Sequence, residues 1–174
     1  TVRWKNKFSN FFEIKSGIRQ GGVLSPILFS IVVDDLLNKL ENCKRGCFLK
    51  YHCCNSYMYA DDLVLLSISL SVLQYLADIS TKELSMHGLS INSKKTFCLR
   101  MGSRHSITPE NINIDGTSIN WVNEIKYLGI TLLAGNVFKV NLQQRKQQFF
   151  RAVNSILSKI ANFPSPRVVI TLVE

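Results

Sequence analysis

Two adjacent aspartates, Asp61 and Asp62, lie between two short apolar runs at residues 57–59 and 63–66. Runs of this length that are rich in tyrosine, valine and leucine are typical of β-strands, and the Asp-Asp step between them predicts a tight hairpin turn. Successive side chains of a strand point to opposite faces, so only a turn lets two neighbouring carboxylates aim at one point. Two like charges held together are unfavourable without a cation, and Mg²⁺ prefers one or two protein carboxylates together with phosphate oxygens. The motif therefore indicates either a metal site or a solvated turn that only joins two strands.

Composition and charge narrow the class of protein. The chain has 174 residues, 46% of them hydrophobic, which suits one domain, or one domain and part of a second. No apolar run approaches the ~20 residues that span a bilayer, and no signal peptide is visible, so an intracellular protein without a membrane partner is expected. The net charge of +9 favours a polyanionic partner, nucleic acid before a membrane surface, although a basic protein without such a partner is the alternative. The chain stops at Glu174 within an apolar run, and we expect it to be cut from a longer polypeptide.

The cysteines predict reduced thiols, because their number is odd and no secretory signal accompanies them. The five positions are Cys43, Cys47, Cys53, Cys54 and Cys98. Their spacing lacks the two matched CxxC pairs of a closed tetrahedral zinc site, which argues against zinc.

A glycine-containing loop precedes the first predicted helix. Arg19, Gln20 and Gly21 belong to a segment with two adjacent glycines, whose backbone can approach a ligand closely. Ser25 followed by Pro26 predicts a helix start with the serine as N-cap, and apolar spacing extends the helix to about residue 41. A loop that leads into a helix N-terminus can cradle a nucleotide or a template backbone, and an ordinary capped loop is the alternative.

The middle of the chain predicts a second helix and two hairpins. Helical spacing of apolar residues predicts a helix over residues 72–87, ended by a left-handed cap at Gly88. Lys95 follows in a polar segment, either as part of a surface charge pair or as a cation for a phosphate beside the aspartate hairpin. Asp115-Gly116 predicts a hairpin turn, and Gly129 permits a tight bend in a strand pair at residues 126–132.

The last part of the chain is predicted to be a basic helix from residue 140 onward. No acidic residue occurs between Glu124 and Glu174. A helix that packs by its apolar face can offer its basic face to a phosphate backbone, and a merely solvated basic face is the alternative. The basic positions assigned to the nucleic-acid backbone are Lys139, Arg145, Lys146 and Arg151.

Four separated stretches occur in a fixed order: Arg19-Gln20-Gly21 with Leu24-Ser25-Pro26, Tyr59-Ala60-Asp61-Asp62, Gly88-Leu89 with Asn92 and Lys95-Thr96, and Lys126-Tyr127-Leu128-Gly129. This ordered set resembles the reverse transcriptase domain of non-LTR (LINE-type) retrotransposons over nearly the whole chain. The resemblance implies an α+β fold, a right-hand polymerase palm in which an antiparallel sheet carries two helices packed on one face, followed by a helical thumb segment. Residues 1–133 would form part of the palm, and residues 134–174 would begin the thumb.

The resemblance also implies roles for individual residues. Asp61 and Asp62 would be catalytic, metal-binding carboxylates, and Lys95 would approach the phosphates of the nucleotide as a third catalytic residue. The residues near the incoming nucleotide and the template would be Arg19, Gln20, Gly21 and Tyr59. The primer grip would consist of Tyr127, Leu128 and Gly129.

The activity that the resemblance implies is RNA-directed DNA polymerisation, in which two Mg²⁺ ions, with Mn²⁺ as a substitute, support nucleotidyl transfer to a primer 3′-hydroxyl. The implied partners are an RNA template, a DNA primer, their hybrid, deoxynucleoside triphosphates and other domains of a parent polyprotein, in the nucleus. The family's palm begins with an earlier strand that carries a third metal-binding aspartate. Because no aspartate precedes Arg19, the chain alone is expected to be an inactive fragment. The alternatives are a group II intron maturase, a telomerase-like polymerase, or a non-catalytic nucleic-acid-binding remnant of a decayed element.

Overall fold

The computed structural model describes residues 1–13, 21–107 and 109–160, with residue 160 described through its backbone only. The helices of the described ranges are α1 Ser25–Asn42, α2 Leu70–Met86 and α3 Gln143–Ile160. The strands there are β1 Arg3–Trp4, β2 Lys7–Phe8, β3 Phe48–Leu49, β4 His52–Cys53, β5 Ser56–Tyr59, β6 Asp62–Leu65, β7 Cys98–Leu99, β8 Ile112–Ile114, β9 Thr117–Ile119, β10 Trp121–Val122, β11 Glu124–Tyr127, β12 Ile130–Leu133 and β13 Lys139–Asn141. They form small sheets that are antiparallel except for the pair of β7 and β10. The chain therefore mixes helices with small, mainly antiparallel sheets, as the sequence predicted.

The described residues fall into two compact units. The first consists of residues 1–13, 21–96 and 109–119, and the second of residues 97–107 and 120–160. The aspartate hairpin belongs to the first unit, and α3 belongs to the second. No helix in the part of the chain that the structure describes is long and apolar enough to cross a membrane.

The core of the first unit lies between α1, α2 and the β5–β6 hairpin. Leu36 and Leu40 of α1 are four residues apart and therefore share one helix face, which packs against Leu76 of α2. Leu40 and Leu76 are fully buried. Leu63, from β6, packs against the same cluster. Burial of one such side chain contributes roughly 1.5–3 kcal/mol, so this cluster anchors the hairpin to the helices.

The β8–β9 hairpin docks on α2 through a side-chain amide. The predicted turn at Asp115-Gly116 is confirmed, with φ values of 48° and 75°, and positive φ at both central residues is the property of a type I′ turn. The side chain of Gln74 donates to the carbonyl oxygen of Asn113 at 2.7 Å and accepts from its backbone N–H at 2.8 Å. These two hydrogen bonds hold β8, the strand that contains Asn113, against α2.

The start of α1 differs from the prediction by one residue. Ser25 is the first helical residue, and the cap position is occupied by Leu24, which makes no side-chain cap hydrogen bond. The prediction that Ser25 is the N-cap is therefore wrong. The backbone N–H of Ser25 donates to the carbonyl oxygen of Gly22 at 3.2 Å, so a backbone turn starts the helix instead. Pro26 remains in the first turn, where its missing N–H has no consequence.

The end of α2 follows the prediction, although the helix begins at Leu70, two residues earlier than expected. Gly88 has a φ of 69°. Its N–H donates to the carbonyl oxygen of Ser85 at 3.0 Å, and the N–H of Leu89 donates to that of Leu84 at 2.9 Å. This pair of bonds is the Schellman motif, so the predicted left-handed cap at Gly88 is confirmed.

The second unit contains a three-stranded sheet, β11–β12–β13, that precedes α3. The prediction of a helix from residue 140 is wrong at its start, because Val140 lies in β13 opposite Leu132. Pairing with β12 overrides the helical spacing there, since a backbone that bonds to a neighbouring strand cannot bond within a helix. Asn141 then accepts a hydrogen bond on its Oδ1 from the backbone N–H of Gln143 at 2.9 Å, an Asx turn that leads into α3.

Candidate active site

The aspartate hairpin is formed by β5 and β6, which pair with Tyr59 opposite Asp62. Only Ala60 and Asp61 are left for the turn, and Ala60 has a φ of 51°. The predicted hairpin is therefore confirmed, with strands at Ser56–Tyr59 and Asp62–Leu65 rather than at 57–59 and 63–66. Asp62 was predicted to lie in the turn and is instead the first residue of β6, because the strand ladder continues up to its pairing with Tyr59.

The two carboxylates of the hairpin are exposed. Among the residues that the structure describes, neither Asp61 nor Asp62 takes part in an ion pair or a side-chain hydrogen bond. Their negative charges are therefore uncompensated within the described protein. Two neighbouring carboxylates without a protein cation fit a divalent ion such as Mg²⁺, which fills its other positions with water and phosphate oxygens.

Asn55 connects the base of this hairpin to the end of α1, a role that the sequence did not indicate. Its side chain is buried, and its Nδ2 donates to the carbonyl oxygen of Arg45 at 2.9 Å and to that of Leu40. The last carbonyls of a helix lack helical donors, so the amide satisfies a group that burial would otherwise leave unpaired. The backbone carbonyl of Asn55 also accepts from the N–H of Leu66 at 2.7 Å, beyond the last pair of the hairpin. Asparagine is common in turns and just before strands, so the sequence around position 55 did not mark this residue as important.

Lys95 lies in a turn that Asn92 stabilises. The backbone N–H of Lys95 donates to the carbonyl oxygen of Asn92 at 3.0 Å, and Asn92 Oδ1 accepts from the N–H of Lys94 at 3.2 Å. The side chain of Lys95 is exposed. Within the described ranges no ion pair joins it to either aspartate of the hairpin. The local sequence thus shapes the turn, and a catalytic role for Lys95 stays a prediction.

The predicted nucleotide- and template-binding residues are only partly described. Tyr59 is exposed and lies opposite Asp62 in the hairpin. Gly21 is exposed with a φ of 81°, a conformation that favours glycine. Arg19 and Gln20 lie outside the described residues.

The predicted primer grip lies in the second unit at the tip of the β11–β12 hairpin. Tyr127 is the last residue of β11 and pairs with Ile130, which leaves Leu128 and Gly129 as a two-residue turn with φ values of 47° and 77°. Arg145, which was predicted to contact a nucleic-acid backbone, donates from its Nε to the carbonyl oxygen of Gly129 at 2.9 Å. The turn is therefore tied to the beginning of α3.

The other predicted backbone-contacting residues are exposed. Lys139 is the first residue of β13, and Lys146 and Arg151 lie on α3. The apolar positions of α3 are less buried than predicted: Val153 is half-buried, whereas Phe149 is exposed. The helix thus presents basic and aromatic side chains together.

The cysteines do not assemble a metal centre in the described part of the chain, where no group of three or more His, Cys, Asp or Glu side chains is placed to hold an ion. All five are free thiols. Burial raises the pKa of Cys98 on β7 to about 11, so its thiol stays protonated at neutral pH. A protonated thiol is a poor nucleophile, so Cys98 is not expected to act as one.

We expect Cys98 to react slowly with iodoacetamide. The rise in pKa from 9.0 to about 11 leaves roughly 100-fold less thiolate in the folded chain than in the unfolded chain at pH 8. The alkylation rate of the Cys98 peptide, followed by mass spectrometry, should therefore be at least about tenfold lower before unfolding in urea than after it. The native rate should keep rising as the pH passes 9, where the rate for the unfolded chain levels off. Equal rates at pH 8 would contradict the raised pKa.

Comparison with known protein families identifies the family of this chain. Residues 2–132 match the family model described as reverse transcriptase (RNA-dependent DNA polymerase). The chain belongs to the reverse transcriptase family. The match includes the aspartate hairpin, the Lys95 turn and the Leu128-Gly129 turn, so the predicted resemblance to this family is confirmed.

Individual relatives of this reverse transcriptase chain come from transposable elements. It is 32% identical over 141 residues to the Retrovirus-related Pol polyprotein from type-2 retrotransposable element R2DM of Drosophila melanogaster, a match that covers 76% of the chain. It is 31% identical over 140 residues, 75% of the chain, to the corresponding polyprotein from the type-1 element R2 of Popillia japonica. It is also 25% identical over 169 residues, 89% of the chain, to the probable RNA-directed DNA polymerase from transposon BS of Drosophila melanogaster. These findings confirm the predicted non-LTR retrotransposon type of reverse transcriptase domain.

The chain corresponds to only part of each relative. The matches cover 13% of the R2DM polyprotein, 23% of the Popillia protein and 17% of the transposon BS protein. No solved structure shows a significant match to the chain.

Proposed function

We propose that the chain supplies part of the palm and the start of the thumb of an RNA-directed DNA polymerase from a non-LTR retrotransposon. The observation that carries the proposal is the exposed Asp61-Asp62 hairpin within a chain that matches the reverse transcriptase family over residues 2–132. Residues 1–133 would form part of the palm, an antiparallel sheet with two helices packed on one face, and residues 134–174 would begin the thumb. The names of two relatives, both retrotransposable elements, favour this function over an intron maturase or a telomerase-like polymerase. Primer extension by the parent polymerase separates it from a decayed remnant. A polymerase that copies such an element into DNA is expected in the nucleus.

Asp61 and Asp62 are proposed to hold Mg²⁺, or Mn²⁺ in its place. When bound, one such ion would lower the pKa of the primer 3′-hydroxyl and a second would stabilise the charge of the triphosphate. The hairpin presents both carboxylates to solvent, where a nucleotide can reach them, and its anchoring on Leu63 and Asn55 limits their movement. A fixed position matters because small misplacements of reacting groups cost about 100-fold in rate.

The remaining site residues are proposed to position the substrates. Lys95 contributes a positive charge toward the phosphates of the deoxynucleoside triphosphate, from the turn that Asn92 stabilises. The Leu128-Gly129 turn and Tyr127 hold the primer strand. The residues proposed to lie near the nucleotide and the RNA template are Arg19, Gln20, Gly21 and Tyr59.

A polymerase that contains this chain together with the segments that flank it in the parent polyprotein tests the proposal directly. It should extend a DNA primer on an RNA template when Mg²⁺ and deoxynucleoside triphosphates are supplied. Extension on a DNA template only, or no extension with any template, would contradict the proposed activity. The same assay on the 174-residue chain tests the prediction that the chain alone is inactive.

The chain itself should bind an RNA–DNA hybrid with an affinity that falls steeply as salt is raised. Its net charge is +9, and the exposed cations of α3 and β13 occur in a stretch without acidic residues between Glu124 and Glu174. Each phosphate contact releases a counterion, so the logarithm of the binding constant should fall linearly with the logarithm of the salt concentration, by about 0.9 for each contact. Filter-binding titrations at several KCl concentrations measure this slope.

Charge-reversal variants test whether α3 makes the phosphate contacts. Reversing the charge of Lys146 and Arg151 with Lys146→Glu and Arg151→Glu should weaken binding and flatten the slope. The same change at Lys5 and Lys7, two exposed lysines of the first unit, is the control and should have the smaller effect. Binding that does not depend on salt would contradict the electrostatic basis of the interaction.

A further inference from the structure

The contact between Arg145 and Gly129 joins two features of the second unit. Arg145 lies in the first turn of α3, and its Nε donates a hydrogen bond of 2.9 Å to the carbonyl oxygen of Gly129. Gly129 lies at the tip of the β11–β12 hairpin. The guanidinium therefore contacts the turn directly and uses one of its five N–H donors for this hydrogen bond.

Because Gly129 has no side chain, the guanidinium of Arg145 can occupy the space beside it. A Cβ atom at position 129 would lie 2.1 Å from Nη2 of Arg145, which is too close for both groups to stay in place. Gly116 has nearly the same φ in the β8–β9 turn, 75° against 77°, yet a Cβ there would meet no atom within 4 Å. Glycine at position 116 thus serves only the backbone conformation. Gly129 serves both the conformation and the approach of Arg145.

The Leu128-Gly129 turn benefits from outside support. Leu128 has a φ of 47°, a region that leucine rarely occupies because its Cβ crowds the backbone. Two-residue turns of this kind favour Asn or Asp at the first position, which is the residue type of Asp115 in the other hairpin. The hydrogen bond from Arg145 to the carbonyl oxygen of Gly129 therefore stabilises this turn, with Leu128 at positive φ, over other backbone conformations.

We propose that Arg145 is a positioning residue that holds the Leu128-Gly129 turn in shape for the primer strand, through Gly129 and without binding a phosphate itself. This inference rests on the proposed function, in which the turn contacts the primer. It changes the role expected from the sequence, where Arg145 was one of the cations for the nucleic-acid backbone. Arg151 of the same helix is exposed and keeps that role.

A double-mutant cycle on the chain tests the contact without any nucleic acid. Gly129→Ala forces the end of the Arg145 side chain to shift, whereas in an Arg145→Ala background the new methyl group meets no guanidinium and only the positive φ is unfavourable. The fall in the urea unfolding midpoint caused by Gly129→Ala should therefore be clearly smaller when Arg145 is already alanine. Gly116→Ala is the control and should lower the midpoint equally in both backgrounds. Equal effects of Gly129→Ala in the two backgrounds would overturn the proposal.

Binding of a short RNA–DNA hybrid then separates positioning from phosphate contact. Arg145→Ala should weaken binding without changing the salt slope, and Arg145→Lys, which keeps a donor for Gly129, should restore part of the affinity. Arg151→Ala should reduce the slope by about one, as expected for one lost phosphate contact. A similar reduction for Arg145→Ala, or an unchanged affinity, would overturn the positioning role. Failure of the unmodified chain to bind the hybrid would instead contradict the proposed function, and the unfolding cycle would still decide whether Arg145 holds the turn.

Discussion

Replacing Asp61 with asparagine should abolish primer extension by a polymerase that contains this chain. The substitution keeps the size and shape of the side chain and removes its negative charge, which a divalent cation requires. A bound metal contributes several kcal/mol of transition-state stabilisation, and each 1.36 kcal/mol corresponds to a factor of ten in rate. We therefore expect the extension rate to fall at least about 1,000-fold. Extension of a labelled DNA primer on an RNA template, measured with and without Asp61→Asn, gives the ratio.

Asp115→Asn is the matched control for this experiment. Asp115 is also an exposed aspartate in a two-residue hairpin turn, and asparagine tolerates its φ of 48°. The control should keep the extension rate within about twofold, because surface changes of this kind alter stability by no more than roughly 0.5 kcal/mol. Asp61→Asn should also leave the urea unfolding midpoint unchanged, since the exposed carboxylate takes part in no described ion pair. Full activity of the Asp61→Asn polymerase would show that this hairpin is not the metal site.

Replacing Gly46 with alanine should destabilise the first unit by about 3 kcal/mol, because strain at an unfavourable φ and overpacking each cost roughly 1–3 kcal/mol. Gly46 has a φ of 114°, and a Cβ there would lie 2.6 Å from Cβ of Asn55 and 2.8 Å from the carbonyl oxygen of Leu66. Those two residues close the base of the aspartate hairpin through their own hydrogen bond. The added methyl group must therefore disturb the packing of the Gly46 loop against the base of the hairpin, and primer extension should fall together with stability. Urea unfolding of the chain measures the loss as a lower midpoint.

Gly88→Ala is the control for steric contact at Gly46. Gly88 also belongs to the first unit and has a φ of 69°, but a Cβ there would meet no atom within 4 Å. Its substitution should cost only the strain of an alanine at positive φ, roughly 1–2 kcal/mol. The midpoint should therefore fall clearly less for Gly88→Ala than for Gly46→Ala. The same fall for both variants would show that the protein accommodates the methyl group at position 46 and that the close packing against Asn55 is not important for stability.

The turns of this protein were predicted well from the sequence, because a turn depends on the φ preferences of one or two residues. Asp115-Gly116 and Gly88 adopt the positive φ values that their residue types allow, and both were predicted at the correct positions. The aspartate hairpin was predicted instead from the apolar runs on both sides of the Asp-Asp step, and strand pairing places its turn at Ala60-Asp61 and Asp62 in β6. Helices α1 and α2 followed from apolar spacing, with errors of one or two residues at their starts, where caps and backbone turns compete.

The reverse transcriptase family was also predictable, because several short motifs in a fixed order are more specific than any single one. The chemistry of each motif is local: adjacent carboxylates at Asp61 and Asp62, and glycine in a two-residue turn at Gly129.

Only the tertiary structure decided the contacts between residues that are distant in sequence. Asn55 bonds to Leu40, 15 positions away, and Arg145 bonds to Gly129, 16 positions away. In the same way, Val140 lies in a strand because β12 is beside it, although its spacing to the following apolar residues is helical. Each residue carries its own backbone preference wherever the chain runs, so the sequence alone is informative about turns and helices. A hydrogen bond between separated groups exists only after packing has brought them together, and packing is a property of the whole fold.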